Sequence, residues 1–233
     1  MQPSFEPVTR MPDHPRPHHP LWDLPTRLFH WGLVALLANA WLSQQLGWMQ
    51  VHRWNGYLLL TLLGFRLLWG WIGSRHARFG DFLYGPGQVW RYLRGRPVAY
   101  GGHNPAGGWA VLAMLALLLV QGVTGLFATD EILFEGPLYP AVASDTAAWL
   151  TRWHKLNSDL LLGLVGLHLV ALAVHRLVHG ERLIGAMLTG RHPQRPGREA
   201  PVPAWRALLA LAVSAGLLAG VLALAPPPAS SYF

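Results

Sequence analysis

Histidine is the residue type whose positions in this chain suggest chemistry. The apolar segment "TRWHKLNSDLLLGLVGLHLVALAVH" carries His154, His168 and His175, and two further apolar segments carry His30 and His52. Hydrocarbon solvates imidazole poorly, so ionisable side chains in such segments indicate a functional site. Neutral imidazole ligates metals, and imidazole that titrates near neutral pH relays protons. These two kinds of chemistry are the candidates that the sequence offers.

The composition places these histidines in a membrane protein. Of the 233 residues, 52% are hydrophobic and only 12% are charged, which is typical of membrane proteins. Five segments reach the roughly 20 residues that span a bilayer: 28–46, 52–73, 108–128, 154–178 and 205–225. No alternating barrel pattern is visible, so the spans should be helical. The predicted fold is an all-α integral membrane protein, a four-helix transmembrane bundle plus a fifth C-terminal transmembrane helix.

The distribution of charge predicts the orientation of these helices. The connections 74–104 and 179–204 each carry several arginines, whereas 129–150 carries acidic residues and no Lys or Arg. The positive-inside rule then places the N-terminus and both basic connections in the cytoplasm, and the acidic connection and the C-terminus outside. The net charge of +7 therefore reflects topology and does not indicate a nucleic-acid partner.

This orientation sorts four histidines into two levels. His52 and His154 lie at outer helix ends, and His30 lies near the cytoplasmic end of the first helix. His168 follows His154 by nearly four helical turns, so it shares its helix face about 21 Å deeper. Two levels of facing imidazoles are what two stacked, bis-histidine haems require. Because both axial positions are filled, such haems transfer electrons and leave no site for oxygen.

Two alternatives to this ligand set are open. Each histidine, taken alone, is explained equally well as a core residue bonded to a backbone carbonyl. His175 lies seven residues after His168 on nearly the same face and is the alternative inner ligand. It adjoins Arg176 at the cytoplasmic interface, where snorkelling polar residues are common, so we assign His168.

Haem propionates need cationic partners at low dielectric. Arg66 follows His52 by the same fourteen residues that separate His154 from His168, which places it on the ligand face near the inner level. Anchoring at the membrane interface is the alternative role for such cations. The predicted propionate-binding residues are Arg27, Arg53, Arg66, Arg152 and Lys155.

The two ends of the chain are predicted to be tails. The first twenty residues are polar and proline-rich without an apolar core, so they read as a disordered tail and not as a signal peptide. His14, His18 and His19 in it are either solvated or a loose metal site. Absence of cysteine excludes iron–sulfur clusters, thiolate haem ligation and covalent haem attachment. The predicted organisation is a cytoplasmic tail at 1–20, a di-haem domain at 21–191, a linker at 192–204, the fifth helix at 205–225 and a periplasmic tail at 226–233.

Six motifs support a resemblance to a known family. They are "WDLPTRLFHW", "VHRWNGY", "GSRHARFGDF", "GHNPAGGW", "WHKLN" and "GLHLV". In these motifs the chain resembles the bacterial cytochrome b561 family and the related b-type cytochrome subunits of nickel–iron hydrogenases, over residues 21–191. The resemblance implies a four-helix core with two non-covalent b haems in a bacterial inner membrane. It also implies that the ligands are His30, His52, His154 and His168.

The resemblance implies a function as well. Members of this family exchange electrons between membrane quinones and a partner, often a periplasmic c-type cytochrome or a hydrogenase. The leading hypothesis is therefore a transmembrane electron conduit, as a subunit of a quinol or quinone oxidoreductase. The rival hypotheses are a small transporter or proton channel with the histidines as relays, and a structural anchor for a peripheral complex. The small residues Gly216 and Gly220 on the fifth helix suit packing on the bundle or on a second copy in a homodimer.

Polar residues at both levels are candidates for a quinone site. Near the inner haem the candidates offer hydrogen-bond donors and proton-handling groups, and near the outer haem the alternatives are acidic. The inner set is Arg75, His76, Arg78, Asp81 and His103, and the outer set is Asp130, Glu131 and Asp159.

Overall fold

The computed structural model describes residues 19–132, 134–192, 195, 197 and 199–227. The predicted N-terminal tail with His14 and His18, and most of the predicted C-terminal tail, lie outside these residues. In the described part the chain forms helices and two isolated β-bridges but no β-strand. The helices are α1 Leu24–Gln45, α2 Met49–Ile72, α3 Phe79–Phe82, α4 Pro86–Leu93, α5 Pro105–Gly125, α6 Ser144–Val178, α7 Leu183–Thr189 and α8 Ala204–Ala223. Short 3₁₀ turns occupy Arg75–Ala77 and Tyr139–Ala141.

Three of these helices, α5, α6 and α8, are long and apolar enough to cross a membrane, judged over the described residues. The helices α1 and α2 have 22 and 24 residues, but polar side chains such as Asn39, Asn55 and Arg66 interrupt their apolar sequence. The all-helical fold predicted from the sequence is confirmed. The arrangement of four bundle helices plus one stays a prediction.

Asp23 determines where α1 begins. Its Oδ1 accepts a hydrogen bond from the backbone N–H of Thr26 at 2.8 Å, which satisfies one of the free donors at the helix start. Its Oδ2 accepts from the indole Nε1 of Trp69 at 3.1 Å, and Trp69 is fully buried near the end of α2. The same carboxylate therefore caps α1 and fastens it to α2.

The helices pack in a chain and do not form a closed ring. α1 packs on α2, α2 packs on α5 and α8, and α5 packs on α6. Phe29, Leu63, Phe65, Trp69 and Leu118 are among the buried residues of the shared core. No extensive contact joins α1 to α6 among the described residues.

The helix α6 is longer than the membrane requires. Its 35 residues span about 52 Å at 1.5 Å per residue, against about 30 Å of hydrocarbon. It begins ten residues before the predicted start, at Ser144 rather than at residue 154. His154 and His168 both lie on this single helix, so its straightness fixes their vertical separation.

The fifth transmembrane candidate, α8, is docked on α2. The hydroxyl of Ser214 donates to the carbonyl of Thr61 at 2.7 Å. Gly64 makes this approach feasible, because a Cβ at that position would lie 2.2 Å from Ser214 Oγ and 3.2 Å from its Cβ. The glycine on α2 therefore sets how closely α8 approaches.

Replacement of Gly64 by Leu should push α8 away from α2. Overpacking of a tight contact destabilises by about 1–3 kcal/mol, so the unfolding temperature in detergent should fall. The matched control is Gly216→Leu on α8, because a Cβ at Gly216 meets no atom within 4 Å. Equal unfolding temperatures for the two variants would contradict the described docking of α8.

Candidate functional site

His52 and His154 face each other between α2 and α6. Their ring centroids are 6.1 Å apart and the ring planes are nearly perpendicular, at 81°. With metal–nitrogen bonds of about 2 Å, two imidazoles on opposite sides of one metal ion have centroids about 6 Å apart. The outer histidine pair therefore has the separation that a shared axial metal requires.

Backbone carbonyls orient both outer rings. His52 Nδ1 lies 2.9 Å from the carbonyl of Ala40, and His154 Nδ1 lies 3.0 Å from the carbonyl of Gln121. A carbonyl can only accept, so in both rings Nδ1 carries the proton and Nε2 keeps its lone pair. This is the tautomer and the support that metal-ligating histidines use.

Two amide side chains complete the outer site. Asn157 donates to Gln121 Oε1 at 2.6 Å and to the carbonyl of Leu117 at 2.9 Å. Gln121 then presents its Nε2 to His154 Nε2 at 3.1 Å, which agrees with a lone pair on that nitrogen. The sequence predicted that Gln121 bonds across helices, but the role of Asn157 was missed. A lone asparagine one turn after a histidine in an apolar helix was the available signal.

Gly125 admits the ring of His154 at the end of α5. A Cβ built on Gly125 would lie 2.9 Å from His154 Cε1, which is closer than side-chain atoms normally approach. The glycine is thus needed for the position of the ring and not for a special backbone conformation.

The inner histidines lie at the other end of the bundle. His30, on α1, and His168, on α6, are close enough for their charges to interact, and both are half-buried. The Nδ1 of His30 is buried, and no hydrogen-bond partner for it exists among the described residues. Unlike the outer pair, the inner pair has a polar atom without a protein partner.

Arg66 is a buried cation beside the inner level. Its side chain is 3% exposed and its guanidinium lies over the rings of Phe79 and Phe82, at 5.1 and 5.8 Å. The Nη1 atom has no hydrogen-bond partner in the described part of the chain. Both oxygens of the nearest carboxylate, Asp23, already accept other hydrogen bonds. Because an uncompensated buried charge is costly, this position favours an anionic ligand group.

His103 lies between the same aromatic residues and the N-terminal segment. Its ring contacts Trp22 and Phe82, at centroid distances of 4.6 and 4.8 Å. Burial, and next the positive field of Arg66, lower the pKa of His103 to about 3. His103 is therefore neutral at physiological pH, and its Nδ1 has no partner among the described residues.

The remaining inner quinone candidates form one polar cluster with His103 at its edge. His76 Nδ1 lies 2.9 Å from Asp81 Oδ2, and Arg75 pairs with Asp81 at 3.2 Å and with Glu199 at 2.7 Å. His76 is buried, and its Nε2 has no partner in the described residues. Arg78 differs, because it is exposed and donates to the carbonyl of Gly73.

The other predicted propionate partners lie farther out. Arg27 Nη1 donates to the carbonyl of Leu188 at 2.6 Å, and Arg53 Nη2 donates to that of Glu135 at 2.9 Å. The Nε atoms of both arginines are buried without a described partner. Arg152 and Lys155 are exposed on α6. Among the five, Arg66 is the deeply buried one.

The alternative ligand and the outer quinone candidates have other contacts. His175 Nδ1 lies 2.9 Å from Glu181 Oε2, and its Nε2 lies 3.3 Å from the amide of Asn104. Asp130 accepts backbone hydrogen bonds from Ile132 and Phe134, which shape the outer loop. Glu131 and Asp159 are exposed.

The described residues contain no group of three or more His, Cys, Asp or Glu side chains that could hold a metal ion. Paired histidines therefore suit an ion that brings most of its own ligands. Haem iron is such an ion, since the porphyrin supplies four nitrogens and the protein only the axial ligands. The tethered Nδ1 atoms and the partnerless atoms of His30 and Arg66 fit this group.

These features define a helical membrane protein in which histidines of different helices face each other. The family model for prokaryotic cytochrome b561 matches residues 21–190, and the chain belongs to that family. A probable Ni/Fe-hydrogenase B-type cytochrome subunit from Rhizobium leguminosarum bv. viciae is 23% identical, over 73% of this chain and 87% of the relative. The corresponding protein of Bradyrhizobium diazoefficiens is 21% identical, over 77% and 88%. No solved structure matches.

The family membership confirms the predicted resemblance. The chain is a membrane b-type cytochrome of electron transfer, and its cofactor is haem b. The number of haems, the ligand set and the substrate are matters for the proposal below.

Replacement of Gly125 by Ala should weaken haem binding at the outer level. The added methyl group displaces the His154 ring, and disturbed support of a ligating histidine typically lowers affinity by about 10–100-fold. Haem b per chain, measured by pyridine haemochrome, should fall after purification. The control is Gly220→Ala on α8, where a Cβ meets nothing within 4 Å. Full haem content in Gly125→Ala would argue against His154 as a ligand.

Proposed function

We propose that this chain is a di-haem cytochrome that carries single electrons across the membrane between the quinone pool and a redox partner. The observation that carries the proposal is the outer pair, in which two imidazoles 6.1 Å apart each have Nδ1 bound to a carbonyl. Each ring can then bind a metal through Nε2. A proton relay would need a mobile Nδ1 proton, whereas the two carbonyls hold that proton in place.

Four histidines hold the two groups in this proposal. His52 and His154 would hold the outer haem, and His30 and His168 would hold the inner one. Bound haem b supplies reversible one-electron chemistry at its iron. Because imidazoles from two helices would hold each haem, the arrangement favours electron transfer over oxygen binding.

Three glycines on the helices that carry His52, His154 and His168 suit the approach of a flat group. Gly56 on α2 and Gly163 and Gly166 on α6 have no neighbouring atom within 4 Å of a built Cβ. The missing side chains let a macrocycle approach the helix backbones.

The propionate groups need cations, and Arg66 is the strongest candidate. Its partnerless Nη1 atom can donate to a carboxylate in a low-dielectric setting, where a charge-assisted hydrogen bond is strong. Arg27, Arg53, Arg152 and Lys155 are the further candidates. The last two are exposed, so their contribution would be weaker because solvent screens it.

We place the quinone site at the inner level, around the cluster Arg75, His76, Arg78, Asp81 and His103. His76 Nε2 and His103 Nδ1 are buried nitrogens without described partners, and quinone oxygens are hydrogen-bond acceptors. Asp81 binds His76 from the opposite side and Arg75 from solvent. Asp81 accepts from Nδ1–H, so Nε2 of neutral His76 carries a lone pair that can accept the proton of a quinol hydroxyl, and protonated His76 can donate to a quinone.

The redox partner is proposed from the relatives and the topology. Both curated relatives are named as hydrogenase cytochrome subunits, so a hydrogenase-like subunit or a periplasmic c-type cytochrome is the expected partner. The charge distribution supports an inner-membrane protein with its N-terminus in the cytoplasm and its C-terminus in the periplasm.

Haem quantitation tests the di-haem proposal and the ligand assignment together. Purified protein should carry about two haems b per chain, as two bis-histidine levels require. His168→Ala should lose about half of the haem. His175→Ala is the matched control, because His175 lies on the same helix seven residues after His168 and is the alternative inner ligand. If His175→Ala loses the haem and His168→Ala retains it, the inner ligand is wrong.

A second experiment distinguishes the inner quinone site from the outer one. His76→Gln should slow electron exchange with a soluble quinol analogue by about 10²-fold, as expected for loss of a proton-handling group. Asp159→Asn, at the outer alternative, is the control and should keep its rate. Stopped-flow reduction of the haem provides the measurement. The opposite result would move the quinone site to the outer level.

A further inference from the structure

A crevice of about 260 Å³ lies where α6 ends and α7 begins. Its walls include the apolar side chains of Leu172, Leu183 and Ile184, and Arg176 and Arg182 lie at its edge. This is the volume of roughly nine water molecules, enough for a small polar head group. The crevice combines apolar walls with two guanidinium groups, which is the composition of an amphiphile-binding site.

The two arginines are available to an anion. Neither Arg176 nor Arg182 forms an ion pair with any residue that the structure describes. Glu181 also lines the crevice, but its carboxylate is engaged elsewhere. Its Oε2 lies 2.9 Å from His175 Nδ1, and its Oε1 binds Arg195. Both carboxylate oxygens therefore have partners other than Arg176 and Arg182.

The crevice lies at the depth of lipid head groups. α6 is long and apolar enough to cross a membrane, and the crevice is at its C-terminal end. Leu177 and Val178 in the same turn are 83% and 70% exposed. Apolar side chains so exposed at the end of a spanning helix contact acyl chains, while arginines at this level reach the head-group region.

We propose that this crevice binds the phosphate head group of an anionic phospholipid. Arg176 and Arg182 hold the phosphate, and the acyl chain lies along Leu172, Leu183 and Ile184. A lipid in this position would fasten α7 to the end of α6. Because α7 also receives Arg27 of α1 through the carbonyl of Leu188, the lipid would stabilise the closure of the inner end of the bundle. The site is independent of the number of haems.

Native mass spectrometry of the purified full chain tests this proposal. Phosphatidylglycerol is titrated into delipidated protein, with phosphatidylcholine and inorganic phosphate as separate arms. Wild-type protein should retain one phosphatidylglycerol in preference to phosphatidylcholine, and inorganic phosphate alone should bind far more weakly. The double variant Arg176→Gln, Arg182→Gln should bind phosphatidylglycerol roughly thirtyfold more weakly, at about 1 kcal/mol for each arginine near the surface.

The matched control removes the same charge from α4. Arg91 lies on this short exposed helix and Arg94 directly follows it as its C-cap, and Arg91→Gln, Arg94→Gln should retain the wild-type affinity. If both double variants bind phosphatidylglycerol equally weakly, general surface charge explains the binding and the proposed site is wrong. Inorganic phosphate binding as tightly as the lipid would also overturn it. So would loss of haem from the Arg176, Arg182 variant, because the crevice would then be part of the haem site.

Discussion

The hydrogen bond from each outer imidazole to a backbone carbonyl of another helix is the interaction on which the site depends. In hydrocarbon an unpaired N–H is costly, so Ala40 and Gln121 supply carbonyls to His52 and His154. Each bond keeps the proton on Nδ1 and the lone pair on Nε2, which in His154 accepts a hydrogen bond from Gln121. The same two contacts join α1 to α2 and α5 to α6. They therefore orient the imidazoles and hold the helices together at the same time.

The inner level is built on a different principle. There the protein leaves polar atoms of His30 and Arg66 buried without described partners, and it surrounds the cation with Phe79 and Phe82. Native structures rarely tolerate such atoms without a reason. An anionic group bound between them would complete the hydrogen bonds that the chain itself does not provide. In this proposal the protein itself orients the outer histidine pair, whereas a bound ligand would supply the hydrogen-bond partners that the inner level lacks.

The sequence predicted the helices that carry the histidines, because hydropathy is a local property; the depth of the histidines in the membrane stays a prediction. It placed the start of α6 ten residues late, since the extension from Ser144 is amphipathic and does not resemble a membrane span. It could not foresee that Glu181 returns to His175 or that Asn157 holds Gln121. Those contacts depend on how loops fold back and on the rotation of neighbouring helices, which periodicity does not encode. The N-cap at Asp23 can be predicted from the sequence alone, because aspartate is a preferred N-cap residue.

The lack of extensive contact between α1 and α6 among the described residues follows from the physics of membrane packing. Lipid chains are as apolar as leucine, so there is no hydrophobic gain when two such helices meet. Helices associate instead where small residues or polar contacts allow it, as Ser214 and Gly64 do for α8 on α2. α6 has close packing on α5 but lacks it on α1. A flat cofactor bonded to histidines on both sides would connect α1 to α6. Coordination bonds would then hold these two helices together, as a leucine core does in a soluble bundle.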